Sequence, residues 1–156
     1  MEKQRVLFLC TGNSARSQMA EAYLRTYSRN KFVVCSAGLE PTIINHYTVK
    51  ILEEDGIDTS SQYAKSIEKY IGKIQFNYLI TVCANAEERC PMFPGMGIRL
   101  HWPFEDPAAF KGNEEEKMGK FREIRDQIEA KAKKLAAYLR TIRVANTFSL
   151  FNKATK

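Results

Sequence analysis

The sequence contains no run of about 18 consecutive apolar residues, the length that a membrane-spanning helix requires. The first residues carry charges and lack a small-residue cleavage site, so we expect neither a signal peptide nor a membrane partner. The chain also contains no internal repeat and no low-complexity segment. We expect a cytoplasmic, monomeric protein in which any disulfide is transient and catalytic rather than structural.

The chain has few of the residues that bind transition metals. Its two histidines, His46 and His101, lie far apart, and its cysteines form no C-x-x-C pair. Structural zinc sites generally use closely spaced cysteines and histidines. The sequence therefore predicts no metal site and no tightly bound cofactor. The four cysteines are Cys10, Cys35, Cys83 and Cys90.

Acidic residues are absent from the end of the chain. Residues 131–156 include seven Lys or Arg and no Asp or Glu, whereas the first 130 residues hold 17 basic and 18 acidic residues. The net charge of +6 therefore comes from the last helix and tail, and the main body has no basic stripe that would indicate a nucleic-acid partner. We predict a single domain over residues 1–141 and a basic C-terminal appendage over residues 142–156.

Two kinds of apolar segment alternate along the chain. Short runs rich in Val, Leu, Ile and Phe indicate buried strands, and longer segments with apolar residues three or four positions apart indicate helices. The predicted strands cover residues 5–10, 31–36, 76–82 and 97–102, and the predicted helices cover residues 14–28, 45–54, 66–71 and 114–143. This order implies parallel β–α–β crossovers. We predict an α/β fold, a three-layer sandwich with a central four-stranded parallel sheet.

The stretch CTGNSARS, residues 10–17, follows the first predicted strand and opens the first helix. A helix N-terminus carries unpaired amide donors and the positive end of the helix dipole. Gly12 and Asn13 suit the positive φ angles that let a loop turn its N–H groups inward around an anion. The sequence thus predicts an anion-binding loop at the carboxyl end of a strand, where α/β proteins bind their ligands.

Cys10 is the predicted nucleophile of this loop. We expect the helix N-terminus and Arg16 to lower its pKa from about 8.5 into the range of activated thiols, roughly 3.5–7.5. Arg16 can hold a tetrahedral oxyanion with two parallel hydrogen bonds, and Ser17 can donate its hydroxyl to the sulfur. The residues expected to bind the anion are Thr11, Gly12, Asn13, Ser14, Ala15, Arg16 and Ser17.

The loop resembles the phosphate-binding loop of low-molecular-weight protein tyrosine phosphatases and of the arsenate reductases that share their fold. SAGLE after the second predicted strand and EDP before the last helix fit the same family, and the resemblance extends over residues 5–140. Two departures favour the reductases. Ala15 stands where the phosphatases usually have a second loop cysteine, and Ala108 and Ala109 follow the Asp-Pro pair where their substrate rim is aromatic.

Two further cysteines lie in TVCANAEERCP, which continues the third predicted strand. Cys83 could belong to the core, but the polar, acidic surroundings of Cys90 argue against a packing role there. A flexible segment with both cysteines could pass a disulfide outward from Cys10, because disulfide exchange needs only a thiolate and access. The spacing is similar to that of thioredoxin-coupled arsenate reductases.

That resemblance implies a relay of three cysteines. Cys10 attacks arsenate, for which phosphate or sulfate would compete, and forms a thiol–arsenate adduct. Cys83 then attacks Cys10 and releases arsenite. Cys90 takes over the disulfide and exposes it to thioredoxin, although donors of the glutaredoxin type also exist.

Asp106 is the candidate general acid. It lies in HWPFEDP, which follows the fourth predicted strand, so its carboxyl group can reach over the anion loop. Protonation of a leaving group by a positioned acid typically accelerates such a step by about 10²–10⁴-fold. Glu105 is the local competitor, and the family pattern selects Asp106.

The resemblance also raises the question of a potassium ion. Some relatives bind one near the loop through residues that correspond to Asn13, Glu21 and Ser36, together with residues after the second helix. Here that segment reads SSQYAKSIE, and Lys65 lies near the place where an acidic ligand is expected. A lysine at this position disfavours a bound potassium ion.

Two other functions are compatible with the same residues. A phosphomonoesterase would use Cys10, Arg16 and Asp106 alone and would have no use for Cys83 and Cys90. A non-catalytic module for anion binding or redox sensing would need a Cys10 that is unreactive at neutral pH.

Overall fold

A central sheet of four parallel strands, in the order β2-β1-β3-β4, organises the molecule. The computed structural model describes residues 2–90 and 96–153. The strands are β1 (Gln4–Cys10), β2 (Phe32–Gly38), β3 (Phe76–Thr81) and β4 (Met96–His101). The helices are α1 (Arg16–Ser28), α2 (His46–Glu54), α3 (Ala84–Arg89) and α4 (Glu114–Lys153), and 3-10 turns cover Ile67–Lys69 and Pro107–Ala109. The predicted α/β fold with a four-stranded parallel sheet is confirmed.

Strand β1 is deeply buried because it pairs with β2 on one side and with β3 on the other. Val6, Leu7, Phe8 and Leu9 each have 0% of their surface exposed. Full burial of a large apolar side chain stabilises a fold by about 1.5–3 kcal/mol. The strand that ends at Cys10 is therefore a firmly held support for whatever follows it.

The helices pack mainly around α1 and α4. Helix α1 contacts β1, β2 and α4, and α2 also packs against α4. Helix α4 buries one apolar face, whose members are Phe121, Ile124, Ile128, Ala132, Leu135 and Leu139. Helix α3 lies instead against β1 and β3, close to the point where β3 ends.

Several element boundaries differ from the sequence-based prediction. Helix α1 begins at Arg16 rather than at residue 14, because the preceding residues form a loop. The predicted helix over residues 66–71 is a single 3-10 turn, and the short helix α3 was not predicted.

Helix α4 continues to Lys153, ten residues beyond its predicted end at 143. Residues 131–153 contain no glycine or proline, so nothing in their sequence ends the helix. Much of the predicted appendage thus continues α4, while the domain boundary at residue 141 stays a prediction. Within residues 2–90 and 96–153, no helix has an apolar stretch long enough to cross a membrane.

Candidate active site

The candidate site lies at the carboxyl edge of the sheet. Cys10 ends β1 opposite Gly38, the last residue of β2, and Thr81 ends the neighbouring strand β3. Parallel strands place their carboxyl ends at one edge, which is where ligands bind in such folds. The structure therefore brings the anion loop and the segment that begins at Cys83 to the same place.

The segment after β2 holds the anion loop from its outer side. Four loop carbonyls accept backbone hydrogen bonds of 2.8–3.2 Å from this segment. The donor–acceptor pairs are Leu39 to Cys10, Glu40 to Thr11, Thr42 to Gly12 and Asn45 to Ser14. Because a trans peptide points its C=O and N–H in opposite directions, outward carbonyls turn the following N–H groups inward. The loop thus has the amide arrangement that an anion needs.

Asn13 gives the loop its shape. Its φ is +50°, in the left-handed region that Asn tolerates better than most residues, and its N–H donates to the Cys10 sulfur at 3.1 Å. Its fully buried amide Nδ2 donates to Ser17 at 2.8 Å and to Ser36 at 3.0 Å. Its Oδ1 accepts from the Lys65 backbone N–H at 2.9 Å. These bonds connect the loop to α1, to β2 and to the segment after α2.

The Cys10 thiol is buried and has a fixed hydrogen-bonding environment. Its sulfur lies 2.7 Å from the Ser17 hydroxyl oxygen, and that oxygen already accepts a hydrogen bond from Asn13 Nδ2. A thiolate can only accept hydrogen bonds, so the Ser17 hydroxyl donates to the sulfur when Cys10 is ionised. Two donors, the Asn13 N–H and the Ser17 O–H, therefore point at the atom that must become a thiolate.

The pKa of Cys10 does not follow the sequence-based prediction. Burial raises the pKa of this thiol above its ordinary value, while hydrogen bonds from Ser17 and Asn13 lower it and the nearby Cys83 raises it. The prediction of a lowered pKa is therefore wrong for the loop in this structure. The physical reason is that β1 and the surrounding elements remove the thiol from water, and desolvation disfavours its charged form.

Arg16 connects the loop to the segment that follows β4. Its Nη1 donates to the Phe104 carbonyl at 3.0 Å, and its Nη2 lies 3.7 Å from Asp106 Oδ2. Asp106 also caps the turn Pro107–Ala109 by accepting from a backbone N–H, and its side chain is 43% exposed. Glu105 instead pairs with Lys120 at 2.7 Å. Of the two adjacent carboxylates, the structure brings Asp106 to the arginine of the loop.

Cys83 lies beside the anion loop. It is buried, caps α3 by accepting from the Ala86 N–H, and its sulfur is 3.5 Å from the Thr11 hydroxyl oxygen. The same oxygen accepts a hydrogen bond from Asn85 Nδ2 at 2.7 Å, and either Thr11 or Cys83 can be the donor in the contact between them. The residue that follows Cys10 thus contacts the second cysteine.

Cys90 is buried as well, contrary to the expectation from its polar neighbours. It ends α3, and only 6% of its surface is exposed. Burial raises the pKa of its thiol, while the charge of Arg99 lowers it and that of Glu87 raises it. Cys10, Cys35 and Cys83 are free thiols in this structure.

A buried ionic cluster adjoins the loop, and it includes a residue whose role sequence reasoning missed. Lys65 Nζ lies 3.8 Å from Glu21 Oε2 and donates to Ser36 Oγ at 3.5 Å. Glu21 and Ser36 are residues that the resemblance assigns to potassium, but the lysine ammonium already lies among their oxygen atoms. A second cation at this distance would be repelled, so the residues do not fit potassium while Lys65 is present. Within the described ranges no group of His, Cys, Asp and Glu could hold a metal ion.

The fold and the site together define an α/β protein with a cysteine-containing loop after its first strand, in which the backbone amides have the arrangement of an oxyanion site. The chain belongs to the family of the low molecular weight phosphotyrosine protein phosphatases, whose family model matches residues 5–145. The predicted family resemblance is therefore confirmed.

Several arsenate reductases are similar to this chain. That of Bacillus subtilis (strain 168) is 42% identical over 136 residues, which cover 87% of this chain and 97% of that protein. A solved structure of an arsenate reductase in the phosphate-binding state has a TM-score of 0.74 at 30% identity and covers 87% of this chain and 98% of that one. The thioredoxin-dependent arsenate reductase of Corynebacterium glutamicum has a TM-score of 0.68 at 27% identity, covering 89% of this chain and 63% of that one.

Proposed function

We propose that this protein reduces arsenate to arsenite with Cys10 as nucleophile, Cys83 and Cys90 as redox thiols and thioredoxin as electron donor. The observation that supports this most directly is the contact between Thr11 of the anion loop and the sulfur of Cys83. A hydrolase needs one thiol at the loop, whereas a reductase needs a second one within reach.

The first step is attack on arsenic by the Cys10 thiolate. The inward amides of the loop and Arg16 hold the arsenate oxygens and neutralise their charge. A sulfur–arsenic bond forms, and the bond between arsenic and one of its hydroxyl groups breaks as Asp106 protonates that hydroxyl, which leaves as water. The position of Asp106 suits this role, because its carboxyl group lies 3.7 Å from Arg16, the residue that holds the arsenate oxygens in this proposal.

The second step is the reduction. The Cys83 thiolate attacks the Cys10 sulfur, a Cys10–Cys83 disulfide forms, and the sulfur–arsenic bond breaks with its electron pair remaining on arsenic. Arsenic(V) thus becomes arsenic(III) and leaves as arsenite, while two thiols have been oxidised to one disulfide. A phosphorus adduct has no such route, because phosphate does not accept the electron pair in this way.

In the third step Cys90 attacks Cys83, which frees Cys10 and leaves a Cys83–Cys90 disulfide. These two cysteines cap opposite ends of α3. Seven residues of helix rise about 10 Å, whereas the Cα atoms of a disulfide lie within about 7 Å of each other. Helix α3 must therefore unwind for this bond to form. Thioredoxin is the proposed reductant because the Corynebacterium glutamicum relative is a thioredoxin-dependent enzyme.

A free-thiol titration tests the proposal. Fully reduced protein is treated with excess arsenate in the absence of external reductant, with phosphate as the control anion. We expect two thiols per chain to disappear with arsenate only, matched by one arsenite released. An unchanged thiol count in the presence of arsenate would exclude the relay.

A second candidate function is phosphomonoester hydrolysis, for which the Arg16–Asp106 contact of 3.7 Å is the favouring observation. The two functions differ in their need for the redox cysteines. In Cys83→Ser, arsenate reduction should stop while any hydrolysis of p-nitrophenyl phosphate continues. Arsenate reduction by this variant at the wild-type rate would leave Cys83 without a role.

A further inference from the structure

A continuous series of hydrogen bonds leads from a buried ion pair to the nucleophile. Glu21 accepts from the Ser36 hydroxyl, which in turn accepts from Asn13 Nδ2 at 3.0 Å. The other proton of the Asn13 amide goes to Ser17 at 2.8 Å, and Ser17 lies 2.7 Å from the Cys10 sulfur. An ionised carboxylate only accepts hydrogen bonds, so Glu21 directs the Ser36 proton to itself and leaves the Ser36 oxygen to accept from the Asn13 amide.

Lys65 supplies the positive charge on the loop side of Glu21. Its side chain is 6% exposed. Its Nζ lies near three oxygen atoms of the described residues, Tyr63 O at 2.7 Å, Ser36 Oγ at 3.5 Å and Glu21 Oε2 at 3.8 Å. Arg25 binds the other oxygen, Glu21 Oε1, at 2.5 Å, but its side chain is half exposed. Solvent screens the arginine more than the lysine. The charge on the buried oxygen of this carboxylate, Glu21 Oε2, is therefore balanced mainly by the Lys65 ammonium.

The same three oxygen atoms would be suitable ligands for a hard monovalent cation if the ammonium were removed. With the ammonium in place, its positive charge already balances the negative charge of Glu21 among these oxygen atoms. We infer that Lys65 is a positioning residue. Its ammonium is the permanent cation beside the anion loop and balances the charge of Glu21. In this way it fixes the series of hydrogen bonds that ends at Cys10. The protein consequently needs no potassium ion for this purpose.

Lys65→Ala tests the ammonium by itself. The variant removes the charged group but keeps the backbone N–H of residue 65, which donates to Asn13. The readout is the rate at which iodoacetamide alkylates Cys10 at neutral pH, followed by mass spectrometry of its peptide, so it does not depend on arsenate reduction. Rates are compared at equal ionic strength in tetramethylammonium, potassium and ammonium chloride. Lys69→Ala is the matched control, because Lys69 is exposed and contacts the Tyr63 ring at the same 4.7 Å as Lys65.

We expect the wild type and Lys69→Ala to react at the same rate in all three salts. Lys65→Ala should react about tenfold more slowly in tetramethylammonium, the effect of one unit in the thiol pKa, and recover in potassium or ammonium, which are small enough to enter the vacated position. A wild-type rate in tetramethylammonium, or a slow rate that neither small cation restores, would overturn the inference.

The double variant Lys65→Ala/Glu21→Gln covers the case in which Lys65→Ala does not fold, since removing one partner of a buried ion pair is strongly destabilising. Neutralising the partner should restore folding and make Cys10 reactivity independent of the salt. A double variant that also fails to fold would show that Lys65 acts through packing and not through its charge, and would overturn the inference.

Discussion

The guanidinium of Arg99, on β4, donates to the carbonyl oxygen of Cys90 at 3.1 Å and to that of Glu87 at 2.7 Å. The last carbonyls of a helix have no partner within the helix, and here a side chain of the sheet satisfies two of them. Arg99 also pairs with the Glu87 carboxylate at 3.3 Å. The arginine thus fastens the end of α3 that holds Cys90.

Replacing Arg99 with methionine should loosen α3 and leave the rest of the fold in place. Hydrogen bonds to a charged group each contribute about 1.5–3 kcal/mol, so backbone amides of α3 should exchange with solvent roughly tenfold faster or more. Hydrogen exchange followed by mass spectrometry measures this. Arg89→Met is the control on the same helix, because Arg89 is exposed and pairs only with Glu40 in the described contacts. Equal exchange in both variants would show that Arg99 does not restrain the segment.

Neutralising Asp106 should slow the chemical step without weakening anion binding. In Asp106→Asn the carboxyl proton is lost, and the single-turnover rate with arsenate should fall by about 10²–10⁴-fold. Glu105→Gln is the matched control, because Glu105 is 66% exposed and pairs with Lys120 on the surface. Rapid-quench measurement of arsenite separates this step from recycling. If both variants lost activity equally, the assignment of Asp106 as the acid would be wrong.

The strands and the anion loop could be predicted from the sequence because their signals are local. Residues 6–10 form a continuous apolar run of strand length, and the small and polar residues that follow Cys10 in CTGNSARS come directly after it. The structure places Cys10, Arg16 and Ser17 where this pattern suggested, at the end of β1 and the start of α1.

The environment of the site could not be predicted in the same way, because it depends on residues far apart in the chain. Glu21, Ser36 and Lys65 meet only after β2 pairs with β1 and the segment after α2 returns to the loop. The raised pKa of Cys10 has a similar origin, since the burial that causes it is a property of the packed core. Helix α3 was missed because six mostly polar residues between two cysteines show no helical periodicity.

The pH dependence of Cys10 should respond to Ser17. Burial raises the pKa of Cys10 and the hydrogen bond from Ser17 lowers it, so Ser17→Ala should raise this pKa further. The thiolate fraction at neutral pH then falls, by about tenfold for each unit of pKa, and the curve of alkylation rate against pH moves to higher pH. Ser28→Ala serves as control, because Ser28 is a buried serine of α1 that binds the Arg25 carbonyl. A curve that moves to lower pH in Ser17→Ala would contradict the hydrogen-bond direction deduced for Ser17.

Glycine at position 38 is required by the loop rather than by β2 itself. A Cβ there would lie 2.7 Å from the Thr11 carbonyl oxygen and 2.9 Å from the Asn13 nitrogen, both of them backbone atoms with little freedom to move. Gly38→Ala should therefore displace the loop, lower the free energy of unfolding by about 1–3 kcal/mol and weaken protection of Cys10 by phosphate. Denaturant unfolding and iodoacetamide alkylation with added phosphate measure the two effects.

Gly119 provides the opposite case in the same chain. It lies within α4, and a Cβ added there would meet no atom within 4 Å apart from its chain neighbours and the backbone of its own helix. Gly119→Ala should raise the free energy of unfolding by about 1 kcal/mol, because alanine is the better helix former, and leave phosphate protection unchanged. The contrast separates two consequences of removing a glycine, a general gain in helix stability and a specific clash at the loop. If Gly38→Ala kept both stability and phosphate protection, the close approach of β2 would not be what holds the anion loop in place.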